Sequence, residues 1–205
     1  MVRTTKSLNE SCDALAEREP AFAAVLDLHG QPEPRCSPAG ATTLLRTIVG
    51  QQVSVAAARS MWTKLETAFG TPPDLNLLLK ASDEEMRAVG MSRQKAGYIR
   101  SLAELVLSGE LDLDDLPVDD EEAIALLTRI KGIGRWSAEI YLLFAEGRAD
   151  VWPAGDLAVQ IEIGRLLGLA DKPSEKKLRE LAEQWRPHRG AAAVLAWHSY
   201  NSSVL

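Results

Sequence analysis

Leu127-Thr128-Arg129-Ile130-Lys131-Gly132-Ile133-Gly134-Arg135-Trp136-Ser137-Ala138-Glu139 is an amphipathic helical pattern interrupted by Gly-Ile-Gly and then resumed. Apolar positions fall three and four apart on both sides of the interruption, so the stretch reads as two helices joined by a tight hairpin. Gly132 and Gly134 permit backbone angles and a close approach that side chains forbid, and Ile133 can plug the space between the helices. Amide groups at the start of the second helix then face outward, toward whatever anion approaches. A DNA phosphate fits that role, with Lys131 and Arg135 adding charge and Ser137 a hydroxyl donor; such a contact positions without reading sequence. The tripeptide alone is also what a plain helix–helix turn with two solvated basic residues looks like, and by itself it favours that second reading.

Asp156 follows 22 residues after Gly134. If 135–146 is helical it runs ~18 Å from the hairpin, and the residues from Gly147 to Gly155 can span ~30 Å when extended. The chain can therefore return, bringing Asp156 to the hairpin side, where a carboxylate could face a sugar whose phosphates the hairpin holds. Taken alone, Asp156 after Pro153-Ala154-Gly155 and before Leu157-Ala158-Val159 has the appearance of a helix N-cap. Both roles are compatible, because the positive end of a helix dipole favours the ionised carboxylate.

Outward from these two segments, helical periodicity recurs throughout and no run alternates apolar and polar residues as a half-buried strand would. The chain is expected to be all-α, with helices over 8–28, 41–69, 83–89, 92–108, 119–129, 135–146, 157–168, 174–184 and 189–201. The segment 29–40, rich in Pro and Gly, reads as a connector. It divides an N-terminal part, 1–40, expected to pack with the C-terminal segment, from a central helical lobe over 41–150; 151–205 carries the Asp156 loop and the last helices.

The composition is that of an ordinary globular protein of 205 residues, 46% hydrophobic and 25% charged. A formal charge of -6 excludes a broad basic surface, so any nucleic-acid contact must be local. The acidic run from Asp112 to Glu122 is expected to form a solvated back face. Cys12 and Cys36 are the two cysteines, too few for a zinc ribbon, a disulfide framework or a four-cysteine iron–sulfur cluster. No apolar run approaches the ~20 residues of a membrane helix, and the N-terminus lacks a signal core. The expectation is a soluble cytoplasmic protein that acts as a monomer, with no membrane partner.

Three more segments give the hairpin and the aspartate company: Ile48-Val49-Gly50-Gln51-Gln52-Val53-Ser54, Gly90-Met91-Ser92-Arg93-Gln94-Lys95-Ala96, and Trp185-Arg186-Pro187-His188-Arg189 followed by Trp197. Together, and in this order, they resemble the helix-hairpin-helix DNA glycosylase superfamily, specifically its 3-methyladenine DNA glycosylase II (alkylation repair) branch. The resemblance implies two helical lobes with a cleft between them, and a monofunctional glycosylase that flips an alkylated purine such as 3-methyladenine out of double-stranded DNA to initiate base excision repair. It implies Asp156 as the catalytic carboxylate, and Lys131, Gly132, Ile133, Gly134, Arg135 and Ser137 as the phosphate-binding hairpin. Trp136, Trp197 and Tyr141 would belong to the base pocket, although core packing accounts for the two tryptophans equally well. Gln52 falls at the position that wedges into the gap left by the flipped base, where some relatives carry Leu.

Ile140 and Leu157 stand where some relatives have aromatics, implying a less aromatic pocket. Bifunctional members place a nucleophilic Lys two residues after the second hairpin Gly; here that residue is Trp136, so no Schiff-base lyase activity is expected. The resemblance further implies no required cofactor, no metal ligated by side chains and no iron–sulfur cluster, with a monovalent cation at the hairpin carbonyls as an option. The rival reading is a non-catalytic helix-hairpin-helix DNA-binding protein.

Overall fold

The structure, a computed structural model, describes residues 4–203. Among the described residues it contains helices and no strand, and no helix is long and apolar enough to cross a membrane. The chain divides into two compact units, one drawing on the residues up to Ser37 and from Leu142 onward, the other on Pro38–Tyr141.

The discontinuous unit contains α1 (Thr5–Ala16), α2 (Pro20–His29), a π-turn (Leu142–Glu146), α10 (Leu157–Leu166), α11 (Glu175–Ala182), a short 3-10 turn (Glu183–Trp185) and α12 (Arg189–Ser203). Its core joins Leu8, Cys12 and Leu15 of α1 and Phe22 and Val25 of α2 to Val159 and Ile163 of α10 and to the run 191–196 of α12. Consecutive alanines at 191, 192 and 193 let α12 lie close to α1, α2 and α10, all of which pack on it. Trp185, fully buried, stands edge-on to Phe22 at 5.1 Å and to Trp152 at 5.5 Å. Burial of a side chain this size stabilises by about 3 kcal/mol, and it fixes Trp152, four residues before Asp156. Burial also pushes the Cys12 thiol up to about 12, with the charge of Asp13 adding to it, so Cys12 acts here as a small apolar residue.

The continuous unit contains α3 (Ala41–Gly50), α4 (Val55–Phe69), α5 (Leu75–Lys80), α6 (Asp83–Ala88), α7 (Arg93–Leu107), α8 (Asp120–Leu127) and α9 (Arg135–Tyr141). Helix α7 is its hub, packing against α3, α5 and α6 through Ile99, Leu102 and Ala103.

Polar side chains at helix starts set most of the boundaries. Ser54, Asp74, Ser82, Ser92, Asp119, Asp156 and Ser174 each accept a backbone N–H from the first turn of the helix that follows. These caps correct the expected elements. The helix expected over 8–28 breaks at 17–19, because Pro20 cannot donate and sits at the first helical position, with Glu19 as cap. The helix expected over 41–69 breaks at 51–54, where Gln52 turns into the left-handed region at φ 56 and Ser54 restarts the chain as α4. Helix α5, capped by Asp74, was not expected at all. The helix expected over 135–146 changes to a π-turn at Leu142; the continuous unit covers Pro38–Tyr141, and Leu143 belongs to the core of the discontinuous unit.

Candidate functional site

The loop before α10 is held from several sides. The Asp150 carboxylate receives Arg189 Nε and Nη2, both at 3.0 Å, and also bonds Arg186 Nη1. The Arg189 guanidinium is 13% exposed and also reaches Glu183 Oε1 at 3.0 Å, so this pairing is bidentate and largely shielded from solvent. Gly190 N–H donates to Ala149 O at 2.8 Å, an approach so close that a Cβ at 190 would run into that carbonyl and the side chain of Leu143. Gln160 Nε2 donates to Ala154 O at 2.9 Å, and Arg179 Nη1 lies 3.4 Å from Trp152 O. The Trp185-x-Pro187-x-Arg189 segment is therefore scaffolding: Trp185 packs on Trp152 and Arg189 clamps Asp150, fixing the loop that ends at Asp156.

Asp156 is half-buried at the N-cap of α10. Its Oδ1 accepts Val159 N–H at 3.0 Å and the indole Nε1–H of Trp197 at 3.1 Å. The capping reading of the sequence thus holds, and a second donor, from α12, further orients the carboxylate. The Trp197 ring leans on Phe144, with centroids 5.6 Å apart and the planes tilted by 38°. It borders a cavity of about 310 Å³ in the same unit, shared with Gln31, Glu33 and Arg35 of the connector and with Phe144 and His198.

The remaining sequence-predicted residues lie in the continuous unit. Between α8 and α9 the hairpin turns at Gly132, φ 83, where a Cβ would penetrate the Tyr98 ring. Ile133 is 3% exposed and plugs the turn, with its N–H donating to Ile130 O at 3.0 Å. Lys131 N–H donates to Ser101 Oγ at 3.1 Å, anchoring the turn to α7, while its side chain is exposed.

Two of the sequence-predicted residues have partners within the protein. The Arg135 guanidinium is committed within the protein: it bonds both Glu121 oxygens and Glu139 Oε1, and the Glu121 hydrogen bond, ahead of the other contributions, raises its pKa. Glu121 belongs to the acidic run expected on a back face, yet one end of that run lies against the hairpin. Tyr141 is 3% exposed, and its hydroxyl accepts Gly40 N–H at 2.7 Å, so its ring and hydroxyl serve the packing of α9 against the start of α3.

Trp136, by contrast, is 46% exposed and is not core. With Ser137, Gly132, Gln51, Gln52, Lys95 and Tyr98 it borders an open cavity of about 830 Å³. Gln52 presents an exposed side chain from its left-handed backbone at the rim of that cavity. Gln51, which carried no assignment in the sequence, donates its side-chain amide to Gly132 O at 2.8 Å. Only its place beside Gln52 in the shared motif hinted at a role.

The model of a family described as HhH-GPD superfamily base excision DNA repair protein matches residues 45–188. DNA-3-methyladenine glycosylase 1 of Schizosaccharomyces pombe is 33% identical over 161 residues, covering 75% of this chain and 69% of that protein. A putative DNA-3-methyladenine glycosylase of Bacillus subtilis is 27% identical, and the match spans 57% of its length. Among solved structures, a DNA-3-methyladenine glycosidase from Bacillus halodurans superposes with a TM-score of 0.86 at 29% identity, over 95% of this chain and 90% of the other. The Schizosaccharomyces pombe 3-methyladenine DNA glycosylase in complex with abasic DNA gives 0.79 at 28%, over 96% and 97%.

Proposed function

The chain belongs to the HhH-GPD superfamily of base excision DNA repair proteins, and from that membership we propose that it is a monofunctional glycosylase hydrolysing the N-glycosidic bond of alkylated purines, 3-methyladenine among them, in double-stranded DNA. The observation that carries this reading is Asp156: a carboxylate at a helix N-cap, with Oδ1 fixed by two N–H donors on a loop clamped by Arg189. A carboxylate used only as a cap needs neither the indole nor the clamp.

The chemistry follows from the residue types. Flipping a base out of the stack costs a few kcal/mol, least for damaged bases, which begins the selection. The hairpin at Lys131–Gly134 and the hydroxyl of Ser137 hold the backbone through its phosphates. Departure of the base leaves oxocarbenium character on the sugar; the Asp156 carboxylate stabilises that charge and orients the attacking water. An N-alkylated purine already carries positive charge, so it needs little acid assistance to leave, and the indole face of Trp197, which bonds Asp156, attracts it. With Trp136 at the position of a lyase's lysine, water is the nucleophile.

A monovalent cation at the hairpin would share carbonyls already in use, since Ile130, Gly132 and Gly134 each accept one hydrogen bond and keep a second lone pair. Its chemistry would be confined to holding the phosphate. The reading places the protein on chromosomal DNA in the cytoplasm, acting as a monomer.

The test is incubation with methylated duplex DNA. Free methylated purine is released and abasic sites accumulate without strand cleavage, and borohydride traps no covalent complex. A trapped complex would overturn the monofunctional reading, and absence of any released base would overturn the enzymatic one.

A further inference from the structure

The end of α3 is tied down on both sides of Gly50. Val49 O accepts the ammonium of Lys95, a buried side chain from the first turn of α7, at 2.7 Å. Gln51 N–H closes the helix on Ile48 O at 3.3 Å, and the Gln51 side chain then crosses to Gly132 O at 2.8 Å. The next residue, Gln52, takes the left-handed conformation at φ 56 with its side chain exposed. A non-glycine residue stays there only when its surroundings over-determine it, and those surroundings are the ties just named on one side and the Ser54 cap of α4 on the other. The carbonyl that Gln51 reaches is equally fixed. Gly132 is held by the Tyr98 ring, which leaves no room for a Cβ, and its neighbour Lys131 is bonded through its amide to Ser101. One neutral amide therefore joins two loops that are 81 residues apart in sequence.

We propose that Gln51 is a positioning residue that couples the phosphate-holding hairpin to the loop carrying Gln52, so that seating DNA on the hairpin aims Gln52 into the stack and drives base flipping. The inference rests on the functional reading above and assigns that site an internal linkage. Without the amide bond, the hairpin still grips phosphate through its own backbone and Lys131. Gln52, however, loses the fixed backbone from which it inserts, and the cost falls on flipping while affinity is kept.

The experiment uses a duplex carrying one N7-methylguanine beside 2-aminopurine, whose fluorescence rises when its neighbour unstacks. Gln51→Met keeps the side-chain volume and removes the donor. At saturating enzyme its single-turnover base release falls, by about 10²-fold for a misplacement near 1 Å. The 2-aminopurine rise falls with it, while affinity for undamaged duplex is largely kept. Gln51→Glu, isosteric with an acceptor in place of the donor, gives the same split and serves if the Met variant does not fold. Because Gln51 acts through Gln52, Gln51→Met costs little more in a Gln52→Ala background, a non-additive cycle. Additive losses, or an affinity loss matching the rate loss with an unchanged fluorescence rise, would overturn the proposal. If the wild type releases no base, the glycosylase reading itself fails, an outcome separate from failure of the coupling.

Discussion

Gly132 sits where two separate penalties meet any side chain. Its φ of 83 lies where an L side chain costs about 1–2 kcal/mol, and a Cβ would sit inside the Tyr98 ring, an overpacking of about 1–3 kcal/mol. Gly132→Ala therefore distorts the hairpin, and duplex affinity measured at low salt falls at least tenfold; full affinity in that variant would show that the hairpin does not hold DNA. The need for glycine here was legible from Gly-Ile-Gly alone. Arg135 and Tyr141 were not legible, because their partners Glu121 and Gly40 are brought in by the fold and no local pattern announces them. Gln51 is the same kind of case, since an amide that reaches 81 residues along the chain leaves no periodic trace.

Among the elements, the loop from 147 to 156 positions Asp156, and its geometry is set by residues outside it. Asp150 is the clearest example: removing its carboxylate leaves Arg189 mostly buried with only Glu183 as partner. Asp150→Ala is expected to destabilise by about 1–3 kcal/mol, seen as a lower melting temperature, and to lower the rate of base release while duplex affinity persists. Unchanged turnover would mean that the loop holds Asp156 without the clamp. The helices themselves were largely readable from period and caps. Two of the misses share a cause: a continuous apolar period hid the breaks at 17–19 and 51–54. There, Pro20 with Glu19, and Ser54 after the left-handed Gln52, outweigh propensity. At 142 the backbone widens into a π-turn, and Leu143 packs in the core of the discontinuous unit, a tertiary setting that no window of sequence contains.

For the whole molecule, a charge of -6 requires DNA contacts to be few, so the salt dependence of duplex binding should be shallow for a DNA-binding protein, with a slope that reflects a handful of phosphates. Stability carries its own pH signature. Burial, assisted by the charge of Arg18, holds His188 below its ordinary value of 6.5. The unfolded chain then binds the proton more readily, so the contribution of His188 is fully present above pH 6.5 and is lost as pH falls through that value toward the folded one. Urea titrations of His188→Asn should show a flatter acid limb below that pH than the wild type; parallel curves would contradict the assignment. In the proposed mechanism the carboxylate at 156 is the group that catalysis needs. Asp156→Asn keeps the cap and the shape while removing the charge, and it should be compared with the wild type in single-turnover release from methylated duplex and in affinity for a duplex carrying an abasic-site analogue. The expected result is loss of release by three orders of magnitude or so, about 4 kcal/mol in the barrier, with binding largely kept; release at the wild-type rate would contradict it.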